Sequence, residues 1–89
     1  MSLEAYVKAL NGIAARHGLV LSAAAQQMMT APVLEASQYS TFDLDQAIRS
    51  SELVIMAMAS ERKGLHTAQS VIRAFAKAGA NIPPFTARP

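Results

Sequence analysis

The sequence contains no cysteine, so the chain forms no disulfide and offers no thiolate to a metal ion. Long apolar runs are also missing. The longest, residues 53–59, has seven residues, whereas a membrane-spanning helix needs about 20. The first five residues include an acid and no basic cluster, unlike a secretory signal peptide. These absences predict a soluble, cytoplasmic protein without a membrane segment.

Charge is scarce as well. Charged residues make up 16% of the 89 residues and hydrophobic residues 52%, against a usual charged fraction of about 25%. A domain of this size has a large surface relative to its core. We therefore expect apolar surface to remain exposed in a monomer, which is typical of self-association or of a standing partner. The alternative is that 18 alanines raise the hydrophobic count without making the surface adhesive.

Hydrophobic periodicity predicts helices in the first half of the chain. The first helix runs from residue 3 to 17, with Ser2 as its N-cap and Gly18 as the left-handed residue that ends it. A second helix is predicted over residues 23–29. Because a proline removes a backbone donor and clashes with the preceding turn, Pro32 predicts either a kink or a separate short helix beyond it.

The third helix has the clearest signals. Ser40 and Asp43 have the spacing of a capping box, and Gly64 follows the other end. A fourth helix is predicted over residues 67–78, with Gly79 ending it. Together these segments predict an all-α fold, a small antiparallel helical bundle of three long helices plus one short or Pro-kinked helix.

Two consecutive prolines fix the predicted domain boundary. Pro83 and Pro84 prevent the fourth helix from restarting. We therefore expect a single helical domain over residues 1–82 and an extended or disordered tail over residues 83–89.

The residues that carry chemistry are sparse. The two histidines, His17 and His66, lie near helix boundaries and have no companion ligands at metal-binding spacing. No Gly-x-Ser-x-Gly elbow surrounds a serine, and no glycine-rich phosphate loop is present. The carboxylates Asp43 and Asp45 are explained by the first turn of a helix, where an anion is favoured. The sequence predicts no enzyme, no metal, no cofactor and no small-molecule substrate.

Nucleic-acid binding is an alternative. Residues 46–89 carry six basic and two acidic residues, a net charge of +4, whereas residues 1–45 carry a net charge of −2. Residues 13–22 resemble the middle of a helix-turn-helix, with one extra residue after the glycine, but the helix that follows has no cation for phosphate contacts. The candidate contacts are instead in the basic half: Arg62, Lys63, Arg73 and Lys77.

Methionines suggest a different surface. Four of them form two close pairs, Met28–Met29 and Met56–Met58, and neighbouring helical residues diverge by about 100°, so they cannot all point inward. Methionine adapts to varied binding partners. We therefore favour a non-enzymatic helical protein–protein interaction module: a homo-oligomer, or a subunit or adaptor that binds another helical protein. The predicted interface is Met28, Met29, Leu53, Met56 and Phe85.

A third hypothesis is a small chaperone or structural subunit of a bacterial export or phage system. It depends on small size, the lack of cysteine and the abundance of Ala, Ser, Gln and Met.

Overall fold

A computed structural model describes residues 3–86. About 70% of these residues are helical and 7% lie in strands, so the prediction of a mostly helical, compact chain is confirmed. The elements in chain order are α1 (Leu3–Arg16), β1 (Leu19–Leu21), α2 (Ala23–Ala36), α3 (Leu44–Glu61), β2 (Gly64–His66), α4 (Ala68–Lys77) and a short 3₁₀ helix (Gly79–Asn81). None of these helices is long and apolar enough to cross a bilayer.

The two strands form a parallel ribbon that the sequence reading missed. Val20 pairs with Leu65 at its centre. Hydrogen bonds extend the pairing at both ends, because the Gly64 N–H donates to the Gly18 carbonyl at 2.9 Å and the Ser22 N–H donates to the His66 carbonyl at 2.9 Å. A three-residue strand is too short to show the alternation from which strands are predicted.

The described chain consists of two helix–strand–helix units, α1–β1–α2 and α3–β2–α4, and the ribbon pairs the strand of one unit with the strand of the other. Each strand is associated with a glycine of positive φ, Gly18 at +77° and Gly64 at +92°, which is the left-handed conformation that lets the chain leave a helix and reverse. Each strand is followed at once by a helix N-cap, Ser22 before α2 and Thr67 before α4. The glycines were predicted as helix ends, and their place beside a strand is the new finding.

The N-cap of α3 is not where the capping-box spacing put it. Asp43 is the N-cap, and its Oδ1 accepts hydrogen bonds from the backbone N–H groups of Asp45 at 3.0 Å and Gln46 at 3.3 Å. Ser40 lies in the preceding turn instead. An aspartate satisfies two free N–H groups of the first turn and also places a negative charge at the positive end of the helix.

Pro32 does not divide its helix. It lies inside α2, which has 14 residues, as many as α1, and the shortest of the four helices is α4 with ten. Thr30 lies within the same helix, and its hydroxyl donates to the Gln26 carbonyl at 2.6 Å. Met29 and Val33, on either side of the proline, are fully buried. The burial of these two side chains offsets the free-energy cost of a proline inside a helix, since tertiary packing overrides helix propensity.

The core is filled from all four helices. Helices α1 and α4 each pack against both α2 and α3, and the antiparallel orientation of neighbouring helices stays a prediction. The largest fully buried apolar side chains come from every helix: Tyr6, Leu10, Met29, Val33, Val54, Ile55, Met58 and Val71.

The start of the predicted tail belongs to this core. Phe85 is buried, and its ring stacks on that of Phe75 with centroids 5.1 Å apart and planes at 24°. Gly79 makes the approach possible, because a Cβ there would lie 2.8 Å from Phe75 Cδ1. The predicted cap Ser2 and residues 87–89 lie outside the described residues.

Candidate protein-interaction surface

The structure divides the five predicted interface residues into three groups. Met29 is 0% exposed and Phe85 is 6% exposed, so the prediction that they face a partner is corrected: both fill the chain's own core. Met28 is half-buried and packs against that core. Leu53 and Met56 are 49% and 48% exposed, and these two remain available to a partner.

Leu53 and Met56 lie on the outer face of α3. They are three residues apart and therefore on one side of the helix. The opposite side is buried, and its inward residues are Ala47, Ser50, Ser51, Val54, Ile55 and Met58. We define the α3 outer face as the exposed strip that contains Asp45, Arg49, Leu53, Met56 and Ser60.

One edge of this face is fixed by an ion-pair cluster with the end of α1. Glu52 Oε2 lies 3.3 Å from His17 Nε2 and 3.7 Å from Arg16 Nη2. Glu52 adjoins Leu53 in sequence, so the cluster places charged and polar groups directly beside the apolar pair. An apolar centre with a polar rim is the usual composition of a protein interface. His17, which was considered as a metal ligand, contacts a carboxylate in this cluster.

Two of the four predicted nucleic-acid contacts share one carboxylate. Arg73 Nε lies 3.3 Å from Glu61 Oε2, and Lys77 Nζ lies 3.4 Å from Glu61 Oε1. Burial opposes ionisation of Glu61, but the hydrogen bonds and charges of Lys77 and Arg73 outweigh it and hold the pKa of this carboxyl below its usual value. This carboxylate offsets one of the two positive charges that Arg73 and Lys77 bring to α4.

The other two cations lie beside the ribbon. Lys63 Nζ donates to the His17 carbonyl at 2.9 Å, which closes the end of α1. Arg62 Nη1 donates to the Lys63 carbonyl at 3.3 Å. Lys63 thus joins the two helix–strand–helix units, whereas the Arg62 contact lies within the second unit. With two of the four cations paired to Glu61, nucleic-acid binding stays a prediction with a smaller basic surface than the sequence indicated.

Sequence reasoning missed a second exposed apolar pair. Val20 is 63% exposed and Leu65 is 55% exposed, and they are register partners on the outer side of the ribbon. On its inner side His66 is fully buried, and its Nε2 lies 2.9 Å from the Arg62 carbonyl oxygen. The alternation follows from the two-residue period of a strand, but it could only be recognised once the strands were known.

A pocket of about 190 Å³ was also missed. It lies between the end of α2, the turn that follows, the start of α3 and the proline pair after α4. Its lining combines aromatic and proline rings with polar groups: Ala36, Tyr39, Thr41, Phe42, Asp43, Gln46, Ala47, Pro83 and Pro84. No local motif could have revealed it, because its two lining segments are about 40 positions apart in the sequence.

Among residues 3–86, no group of three or more His, Asp or Glu side chains is placed to hold a metal ion. No protein-family model matches the chain, and neither the comparison with curated proteins nor that with solved structures yields a match.

Proposed function

We propose that this chain is a non-enzymatic protein-interaction module that self-associates through the outer face of α3. The observation that carries the proposal is the pair Leu53 and Met56, two large apolar side chains about half exposed on a helix whose other side is core. Exposed apolar groups rimmed by polar ones are typical of interaction sites. The lack of cysteine is compatible with a reducing compartment, so we place the module in the cytoplasm.

A two-fold arrangement explains why the face suits a second copy. If two α3 helices pack antiparallel about a point midway between Leu53 and Met56, Leu53 of each copy meets Met56 of the other. The same symmetry sets Arg49 opposite Ser60, so no like charges meet. It also brings Asp45 to the C-terminal end of the other copy's α3. Lys63 lies two residues beyond that end and has the opposite charge. A two-fold interface of this kind is self-complementary by construction.

The test is the mass of the full chain by light scattering over a range of protein concentrations, at low and at high salt. We expect a dimer whose formation rises with concentration and persists at high salt, because apolar burial is not screened. Leu53→Asp and Met56→Asp should each give a monomer with unchanged helicity by circular dichroism.

The chain offers matched controls for these variants. Leu34 on α2 and Ile72 on α4 are 49% and 47% exposed, so Leu34→Asp and Ile72→Asp introduce the same charge at the same exposure on other helices. Both should remain dimeric. A wild-type monomer at every concentration would contradict self-association and direct the search to a different helical partner.

A further inference from the structure

The pocket beside the start of α3 combines one carboxylate with flat apolar walls. Asp43, Tyr39, Phe42 and the proline pair Pro83–Pro84 all contribute to its lining. Tyr39 is 60% exposed, so much of an aromatic side chain lies uncovered at this pocket. Such a lining can receive a group that is flat, largely apolar on its faces and positively charged.

Among residues 3–86, no Lys, Arg or His side chain forms an ion pair with Asp43. One of its oxygens, Oδ1, accepts the two N-cap hydrogen bonds of α3. A carboxylate has room for about four hydrogen bonds, so Oδ2 remains able to accept from a ligand. The neighbouring Asp45 adds a second negative charge in the same turn.

The size of the pocket suits a single side chain. Its volume of about 190 Å³ is slightly larger than a cavity of about 150 Å³ that holds benzene. It is smaller than the range of roughly 300–1,000 Å³ that is usual for drug-sized ligands and cofactors. The pocket therefore matches one side chain presented by another protein.

We propose that this pocket binds an arginine side chain of a partner protein, with the guanidinium against Asp43 and its flat face along Tyr39. Arginine fits better than lysine, because the planar guanidinium stacks on aromatic faces and donates two parallel hydrogen bonds to a carboxylate, whereas an ammonium is a strongly hydrated point charge. The proposal does not depend on self-association through the α3 outer face, because none of the pocket-lining residues belongs to that face.

The test is an NMR titration of the full chain with N-acetyl-arginine-N-methylamide, followed through backbone amide shifts. We expect saturable changes confined to residues 36–47 and 83–86. The citrulline analogue has the same shape without the charge, and we expect it to bind about fivefold more weakly, the size of an exposed ion-pair contribution.

A conservative variant separates charge from structure. Asparagine is as good an N-cap as aspartate, so Asp43→Asn should keep the fold, and the dimer if one forms, while lowering the affinity for the arginine analogue about fivefold. Asp45→Asn makes the same charge change one position beyond α3's first residue, outside the pocket lining, and should have a smaller effect.

Four results would overturn the proposal. Equal binding of the arginine and citrulline analogues, or an unchanged affinity in Asp43→Asn, would show that the carboxylate is not the recognition group. Equal binding of the lysine analogue would refute the guanidinium assignment. Shift changes centred on the ribbon or on α3's outer face would place the site elsewhere.

Discussion

The hydroxyl oxygens of Tyr6 and Ser51 lie 2.8 Å apart in the core, although the two residues are 45 positions apart in sequence. Ser51 donates its single hydrogen to the Ala47 carbonyl at 2.7 Å. Tyr6 must therefore be the donor to Ser51, since a hydroxyl has only one hydrogen to give. The resulting chain of hydrogen bonds ties α1 to α3. The Tyr6 hydroxyl also lies 3.5 Å from the Met29 carbonyl oxygen of α2.

Stability should fall at alkaline pH because of Tyr6. Burial raises its pKa to about 12, while the unfolded chain keeps a value of about 10. A raised pKa means that the neutral form is favoured in the folded state. The associated stability, about 3 kcal/mol for two pKa units, is complete below pH 10 and is lost as pH rises from 10 to 12.

Urea unfolding at pH 8 and pH 11 measures this loss. Tyr6→Phe should cost about 1–2 kcal/mol at pH 8, because a buried hydrogen bond is removed, and should abolish most of the further loss at pH 11. Tyr39→Phe is the control, since Tyr39 is 60% exposed. If the Tyr6→Phe variant still lost the full free energy of unfolding between pH 8 and pH 11, a group other than Tyr6 would be responsible.

Two glycines should respond in opposite directions to alanine. Gly18 has φ +77°, a conformation that costs a residue with a Cβ about 1–2 kcal/mol, so Gly18→Ala should destabilise the chain by about that amount. A Cβ there would lie 3.2 Å from Lys63 Cδ, a flexible stem that can move. Gly12 is inside α1 with nothing within 4 Å of a Cβ. Gly12→Ala should therefore stabilise by about 0.5–1 kcal/mol.

Thermal or urea unfolding of the two variants provides the comparison. The decisive result is the direction in which each variant changes the free energy of unfolding, because both substitutions add the same methyl group. Destabilisation by Gly12→Ala would mean that the outer side of α1 contacts another chain.

Phe85 should be necessary for stability, although it follows two prolines near the end of the chain. Its side chain is buried against Phe75, so Phe85→Ala should cost about 3–5 kcal/mol, the usual effect of removing a core phenylalanine. Thr86→Ala changes the next, exposed residue and should cost less than about 0.5 kcal/mol. If Phe85→Ala and Thr86→Ala both changed the free energy of unfolding in urea by an equal, small amount, that result would support the predicted domain end at residue 82.

Glu61 should titrate below the usual range of a glutamate. Lys77 and Arg73 hold its pKa down although burial opposes this. A lowered pKa contributes stability that is present above the unfolded value and is lost as pH falls through the folded one. Carbon-detected NMR titration of the Glu61 carboxyl gives the value directly. Arg73→Met and Lys77→Met should each raise it, whereas Arg49→Met, on the outer face of α3, should not.

Local signals were sufficient for most helix ends. Asp43, Ser22 and Thr67 are residues that readily cap a helix, and positive-φ glycines follow α1 and α3 closely. These effects act within one or two turns, so they can be read from neighbouring residues. The capping box at Ser40 was wrong because two candidate caps stood three positions apart, and only the path of the preceding turn decides between them.

The sequence by itself determined the helical character of the chain, most of the ends of its helices and the excess of apolar over charged residues. Only the tertiary structure decided that Met29 and Phe85 are core while Leu53 and Met56 are surface, because helical periodicity fixes an angle around the axis but not which side meets a neighbour. It also decided that Pro32 stays within α2, since burial of Met29 and Val33 offsets the proline's local cost. The ribbon and the pocket depend on residues about 40 or more positions apart, which no local pattern connects.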